Sequence, residues 1–386
     1  MEHEYTGTTS IQGKNVNKQV SVIIPAYNCE KFVAEAIESA LRQDYAPVEV
    51  IVVDDGSTDG TKEEILKYKS SVNYIYQENQ GLGGARSTGI EHAKGEYVAF
   101  LDADDILHDG FIGRQIAFLD KNPEIDIVYF DYMIIDSLGN DIKVLKSENV
   151  DNEKNNFLAY LLFRHPMQAH CFFRKKCFDV IRYPKHLRRS EDYWTHIQMA
   201  RHFRFGYLEE VLYKYRRHEN NMTNKMKEHE ESEIATVRQM GTEEIRTIVN
   251  NSSFSDLDKK ILLGKIFYKI RSYDEAAEVF TSIQSSNMWQ IHFYMGNCSY
   301  IQGDYPDAIA HYKKALEING ARAETHNNLA AAYFKEQDIA KANHHTLTAC
   351  RIKPDYMDAR LNAEIFTTGL KMTFRELRDS LSYYNL

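Results

Sequence analysis

Gly95-Glu96-Tyr97-Val98-Ala99-Phe100-Leu101-Asp102-Ala103-Asp104-Asp105 is an apolar run that ends in a cluster of carboxylates. The run Tyr97–Leu101, bounded by glycine and acids, reads as a buried strand. Negative charge at its carboxyl end has no compensating partner nearby in sequence. Clustered oxygens there suit a hard divalent cation that bridges to a diphosphate. A solvated Asp-rich turn is the other reading of the same residues. Working outward, Val20–Ile24, Ile51–Val53, Tyr74–Tyr76 and Ile127–Tyr132 read as further strands, with Lys31–Arg42, Thr61–Tyr68 and Gly84–Ala93 as helices between them. That alternation predicts an α/β, doubly wound, mostly parallel sheet, which holds ligands at the carboxyl ends of its strands.

The other strand ends carry chemistry of the same kind. The first runs Ser21-Val22-Ile23-Ile24-Pro25-Ala26-Tyr27-Asn28. Pro25 cannot continue a central ladder, so the strand is expected to end there, leaving Tyr27 and Asn28 on the ligand edge with an aromatic face for a base. The second ends Val53-Asp54-Asp55-Gly56-Ser57-Thr58-Asp59. Ser57 and Asp59 read as helix caps, whereas Asp54, still at the strand end, reads as a ligand residue. Asn79-Gln80-Gly81-Leu82-Gly83-Gly84-Ala85-Arg86 opens a helix from a glycine-rich loop. Its spacing matches neither the P-loop nor GxGxxG, which excludes NTPase and dehydrogenase readings. Arg86 near a helix N-terminus is electrostatically misplaced unless an anion, a diphosphate or Asp104, lies beside it.

Residues 136–156 are polar and read as a loop or variable edge, and 157–224 mix strands and helices without a clean period. Past Glu228 the pattern is continuous helix with an internal repeat. Gly264, Tyr273, Ala276 and Phe280 recur as Gly296, Tyr305, Ala308 and Tyr312, then as Ala330, Ile339, Ala342 and Thr346, with Pro354 closing the last copy. The spacing of 32 and then 34 residues resembles tetratricopeptide repeats, in which a small residue on one helix lets its neighbour approach. An ordinary α-hairpin domain is the alternative.

Together the Ser21–Asn28, Val53–Asp59, Asn79–Gly81 with Ala85-Arg86, and Leu101–Asp105 segments resemble the family-2 glycosyltransferases of the GT-A fold, over about residues 20–224. The resemblance implies a nucleotide-sugar donor, a UDP-sugar first, bound by Pro25, Tyr27, Asn28, Asp54, Asn79, Arg86, Asp102, Ala103 and His218. It implies Mn²⁺ or Mg²⁺ held by Asp102 and Asp104 with His218, the last from Tyr215-Arg216-Arg217-His218, which resembles the family's closing segment. Ser190-Glu191-Asp192-Tyr193 resembles the family's Glu-Asp motif, which makes Asp192 the general base of an inverting transfer, with Glu191 beside it. Inversion needs one carboxylate to take the acceptor's proton as it attacks C1 opposite the departing diphosphate. Ser190 followed by acids also reads as a helix cap. Should Asp192 fail as base, His170 is next.

The expected organisation is an N-terminal tail (1–18), a GT-A domain (19–227), a helical linker (228–256) and a repeat domain with a capping helix (257–386). At 27% charged and 43% hydrophobic, the 386 residues fit a globular chain rather than a disordered or fibrous one. A net charge of −9 argues against a general nucleic-acid or anionic-membrane binder. No apolar run has signal-peptide or transmembrane length, and five dispersed cysteines suggest neither a disulfide framework nor a zinc site. A cytoplasmic protein, working at the inner face of the membrane if its acceptor is there, is the expectation. Candidate acceptors are a cell-surface glycan or polysaccharide, a lipid-linked intermediate, or a peptide gripped by the repeats. The repeats could also dock a protein partner or a second copy. The competing class is a repeat scaffold carrying an inactive sugar-nucleotide fold.

Overall fold

The computed structural model describes residues 18–167, 170–185, 187–219, 221, 226–283, 287–364 and 369–374. The expected N-terminal tail up to residue 17 and the expected cap beyond Phe374 lie outside them. The chain divides into two compact units, Met1–Phe157 with His165–Glu233, and Leu158–Arg164 with Ile234–Leu386.

Through the first unit, with α5 crossing into the second, the elements are β1 (Val20–Ala26), α1 (Val33–Leu41), β2 (Val48–Asp54), α2 (Thr61–Leu66), β3 (Asn73–Tyr76), α3 (Leu82–His92), β4 (Tyr97–Phe100), β5 (Ile106–Leu107), α4 (Phe111–Lys121), β6 (Ile127–Ile135), β7 (Asp141–Leu145), α5 (Lys154–Phe163), β8 (Phe172–Arg174), α6 (Cys177–Val180), α7 (Glu191–Ala200) and β9 (Phe205–Arg216). The strands form one sheet in the order β3-β2-β1-β4-β8-β6-β9-β5, with β7 on β6. The stretch β3-β2-β1-β4 is parallel throughout. It turns outward in opposite directions from β1, so a crevice opens past the ends of β1 and β4. Beyond β4 the expected mostly parallel sheet gives way to a mixed one. β8 runs antiparallel to β4 and β6, β7 antiparallel to β6 and β5 antiparallel to β9, and β6 with β9 is parallel. Two of these strands, β8 and β9, come from the region without a clean period. β8 is three residues long, too short to show alternation.

β1 is buried along its whole length because helices cover a parallel sheet on both faces. Each fully buried Val or Ile there contributes about 1.5–3 kcal/mol. Contrary to expectation, β1 does not stop at Pro25 but runs to Ala26, paired with Asp54. Ile23 turns its carbonyl to Leu101 N (3.0 Å). Pro25 faces the same side two residues on, past the end of β4, where a missing N–H leaves no acceptor unmet. Residues 136–156 supply an edge strand, β7, and the start of α5.

The second unit is helical: after α8 (Met226–Arg238), which spans the boundary, come α9 (Thr242–Asn250) and the pairs α10 (Asp256–Lys269) with α11 (Tyr273–Thr281), α12 (Trp289–Gln302) with α13 (Tyr305–Ile318), and α14 (Ala323–Lys335) with α15 (Ile339–Ile352), then α16 (Met357–Glu364). Ser255, Asp304 and Asp338 start α10, α13 and α15 by accepting the N–H three residues on. A Cβ on Gly264 would meet Phe280 Cε1 at 2.6 Å, and one on Gly296 would meet Tyr312 Cε1 at 2.6 Å. In the third copy alanine is tolerated at 330 because Thr346 replaces the aromatic ring. Among the described residues no helix is long and apolar enough to cross a membrane, and all five cysteines are free.

Candidate active site

The ends of β1 and β2 are tied into one ledge. Asn28, with a left-handed φ of 51°, accepts Thr58 N at 2.8 Å on Oδ1 and donates its own N–H to Ser57 Oγ. Tyr27 beside it is half exposed, and Pro25 beneath is buried. Asp54 is fully buried and accepts Ser57 N (2.9 Å) and the Tyr74 hydroxyl (3.0 Å). It therefore shapes the turn as well, a capping part that Ser57 and Asp59 were expected to fill alone. Asp55 holds the next loop, accepting Gln77 Nε2, Gln80 N and Gly81 N. Gly81 has φ +81°, and a Cβ there would reach Arg188 Nη1 at 2.9 Å. Asn79, with its Oδ1 3.5 Å from Arg188 Nη1, lies on this loop.

The acidic end of β4 is fixed from several sides. Arg86 is buried, with Nη1 2.9 Å from Glu191 Oε1 and Nη2 3.1 Å from Asp102 Oδ1. Phe100 and Tyr183 present their rings to its guanidinium. The anions beside Arg86 are thus Asp102 and Glu191. Asp102 Oδ2 lies 3.1 Å from Nε2 of the buried His170. Burial works to raise the Asp102 carboxyl, but His170 and Arg86 outweigh it and hold it well below the usual carboxylate range. Ala103 is buried between the acids. Asp104 Oδ2 lies 2.9 Å from His218 Nε2, and its carbonyl accepts from Arg216 Nε. Arg216 is itself buried and paired with Glu35, so it braces the loop rather than facing the crevice.

Asp102, Asp105 and His170 each bring one donor atom within 4.8 Å of the others. Asp105, however, is buried and already accepts the Tyr213 hydroxyl (2.9 Å) and Arg216 N (2.7 Å). Burial, with Asp104 and Asp102 close by, pushes its carboxyl well above the ordinary range. The acids left to face a ligand are Asp102 and Asp104, with His170 and His218 behind them. Carboxylate oxygens fit Mn²⁺ or Mg²⁺, and an imidazole nitrogen among the donors favours Mn²⁺ of the two. Sequence reasoning noticed His170 only as a substitute base. Its position against Asp102 depends on β8 pairing with β4, for which no local pattern spoke.

At the start of α7, Ser190 adopts φ 53° and ψ 28°, left-handed for a non-glycine residue, and its side chain caps nothing. Its hydroxyl points instead to His229 O at 3.4 Å. The cap reading of Ser190 therefore fails, and strained backbone sets the two acids after it. Glu191 is buried against Arg86, and its carboxyl is pushed up to about 7, by burial first and then by Asp192. Asp192 is less covered. Burial raises its carboxyl too, but His165, His196 and Arg86 together hold it below the usual range. His165 Nε2 and His196 Nδ1 are 3.0 Å apart. Burial pushes the imidazole of His196 down to about 3. Cys29, at the same edge, is pushed up to about 12 by burial and then by Asp104, so it stays a thiol at neutral pH.

A Rossmann-like half sheet with acids gathered at its switch point defines the class: an α/β protein of the kind that places ligands at the carboxyl ends of its strands. Residues 21–182 match Glycosyl transferase family 2, and residues 296–337 match the TPR repeat. An uncharacterized glycosyltransferase of Rickettsia prowazekii is 31% identical over 270 residues, covering 67% of this chain and 83% of that protein. The chain belongs to the family-2 glycosyltransferases. The minor teichoic acid biosynthesis protein GgaB of Bacillus subtilis is 29% identical over 220 residues, 53% of this chain and 23% of that protein. The chain spans only 36% of a Rickettsia conorii relative that is 35% identical over 55% of this chain. In fold it is similar to S. aureus TarS residues 1–349, crystallised with UDP-GlcNAc: TM-score 0.50, 20% identity, 88% of this chain and 93% of that one.

Proposed function

We propose that the protein transfers a sugar, with inversion and with the help of a divalent cation, from a UDP-sugar to a cell-surface glycan or polysaccharide. Tyr27, Asn28 and Asp54, with Pro25 beneath them, take the base and ribose side, and Asn79 and Arg86 border the diphosphate. Asp102, Ala103, Asp104 and His218 face the metal and the phosphates. The cation, Mn²⁺ or Mg²⁺, would neutralise charge on the leaving diphosphate. Asp192 takes the proton of the acceptor hydroxyl while its oxygen forms the bond to C1 and the C1–O bond to the diphosphate breaks on the opposite face.

The observation that carries this reading is the chain of contacts Glu191–Arg86–Asp102. It links the acid cluster to the acid pair, so a donor seated at one would present C1 to the other. Asp192, kept ionised beside Glu191, has the state a base needs. The UDP-GlcNAc complex of TarS supports a UDP-sugar, and the GgaB likeness supports a wall-glycan acceptor. The proposed setting is the cytoplasm, where a nucleotide-sugar donor is made. Calorimetry with UDP tests the donor site. Asp54→Asn keeps an acceptor for Ser57 N yet should weaken UDP about tenfold with or without Mn²⁺, whereas Asp104→Ala should remove only the gain that Mn²⁺ gives. Equal affinities in all three proteins would refute the assignment.

A peptide acceptor held by the repeats is the second reading, favoured by Asn362 and Asn328 on the repeat helices, which bond the backbone N–H and C=O of Lys371 and Thr373.

A further inference from the structure

Histidines recur in pairs at one place in two successive repeats. His292 and His326 stand four residues before Gly296 and Ala330 on α12 and α14, and His311 and His345 stand just before Tyr312 and Thr346 on α13 and α15. Both spacings are 34 residues, the period of the repeat. The two members of each pair meet across their hairpin, with ring centroids 5.8 Å apart for His292 and His311 and 5.2 Å apart for His326 and His345. Packing alone does not require imidazoles there, since the hairpin before them has Lys260 and Val279 at the same places.

The nitrogens of the second pair are set as ligands. His326 Nε2 lies 3.2 Å from Gly320 O. A carbonyl only accepts, so Nε2 carries the proton and Nδ1 keeps its lone pair. That Nδ1 lies 2.9 Å from His345 Nδ1. An outer oxygen that fixes the tautomer in this way is the usual support of a metal-binding histidine. The earlier pair repeats the chemistry. His311 Nε2 lies 3.4 Å from Asp307 Oδ2, and Nδ1 of His292 and Nδ1 of His311 are buried with no hydrogen-bond partner among the described residues. Two nitrogens each about 2.0–2.1 Å from one ion are roughly 2.9 Å apart at a right angle and roughly 3.3 Å apart at the tetrahedral angle. The separation of His326 and His345 matches the right angle, which belongs to tetragonal Cu²⁺ or Ni²⁺.

We propose that His326 and His345 form a binding site for a borderline divalent transition metal, Cu²⁺ or Ni²⁺, that ties α14 to α15. His345 accommodates the ion by carrying its proton on Nε2 instead of Nδ1, so that both Nδ1 lone pairs reach the metal, and water completes the shell. Mg²⁺, which takes oxygen ligands, is a poor competitor at two imidazoles. No residue of the glycosyl-transfer site takes part, so the inference stands or falls apart from that reading.

The test is calorimetric titration of the full chain with NiCl₂ after treatment with EDTA and dialysis, wild type against His345→Phe. The variant keeps a ring to stack on Tyr333, whose centroid is 5.7 Å from that of His345, but offers no nitrogen. It should take up about one Ni²⁺ fewer than the wild type, and saturating NiCl₂ should raise its Tm by less. Equal uptake and an equal rise in Tm in the two proteins would place every bound ion elsewhere and overturn the proposal. If His345→Phe does not fold, hydrogen exchange on the wild type decides. NiCl₂ should slow exchange of the α14 and α15 amides by at least about tenfold while MgCl₂ leaves it unchanged, and exchange indifferent to NiCl₂ would overturn the proposal.

Discussion

Asp192 and Glu191 are adjacent acids in opposite surroundings, and the proposed chemistry depends on that difference. A base is needed only when the acceptor loses its proton. Asp192→Asn should therefore cut kcat by roughly 10² to 10⁴ while UDP affinity stays nearly constant. Glu191→Gln should be milder, since the amide still accepts from Arg86. A reversal of the two in steady-state kinetics would move the base to Glu191. Glu191 also predicts a pH effect. Its carboxyl titrates near 4.5 in an unfolded chain and about 7 when folded. The folded state binds the extra proton between those values, so this contribution to stability is whole below pH 4.5 and lost as pH rises through 7. The wild-type Tm should accordingly fall relative to that of Glu191→Gln between about pH 5 and 8. Parallel Tm curves would show that Glu191 is ionised throughout. The acids that end β2 and β4 stood out because charge at strand ends is anomalous in sequence, whereas Glu191, Asp192 and His218 were reached only through the family resemblance. His170 was not a metal-side candidate, since only the β4–β8 pairing brings it to Asp102.

The repeat hairpins were legible from one recurring constraint, a small residue facing an aromatic one, and that constraint is testable. Alanine at 296 would ordinarily favour a helix by up to about 1 kcal/mol over glycine. Here its Cβ would stand 2.6 Å from Tyr312, and overpacking of this kind costs about 1–3 kcal/mol. Gly296→Ala should thus destabilise the chain in urea. Tyr312→Thr also destabilises, by a cavity and a lost bond to Asn297, but the double variant copies the Ala330 and Thr346 pair. It should lose less than the sum of the two single losses, and strict additivity would refute the packing argument. In the sheet, β1, β2 and β4 were legible because parallel buried strands are continuous apolar runs, and β3, an edge strand with exposed ends, through its aromatic and β-branched residues. β5 has two residues and β8 three, and β9 pairs with β6 through register shifts. Segments that short or irregular carry no period to detect. β1 outran its expected end because Pro25 faces a side of the strand where β4 has already stopped.

At the scale of the molecule, a chain of net charge −9 is proposed to hold a doubly charged diphosphate beside three aspartates. Arg86 is already shared between Glu191 and Asp102, and Arg216 is committed to Glu35 and the Asp104 carbonyl. The proposed mechanism therefore takes its main positive charge from a divalent cation, with Arg188 beside Asn79 as a second source, which makes metal dependence its central claim. The most direct measurement is release of nucleoside diphosphate by the full chain from UDP- and GDP-sugars, with Mn²⁺ and after chelation with EDTA, alongside Asp104→Ala. The account predicts release from a UDP-sugar with Mn²⁺, and a fall of at least about a hundredfold both on chelation and in the folded variant. Undiminished release in EDTA, with Asp104→Ala at the wild-type rate, would contradict it.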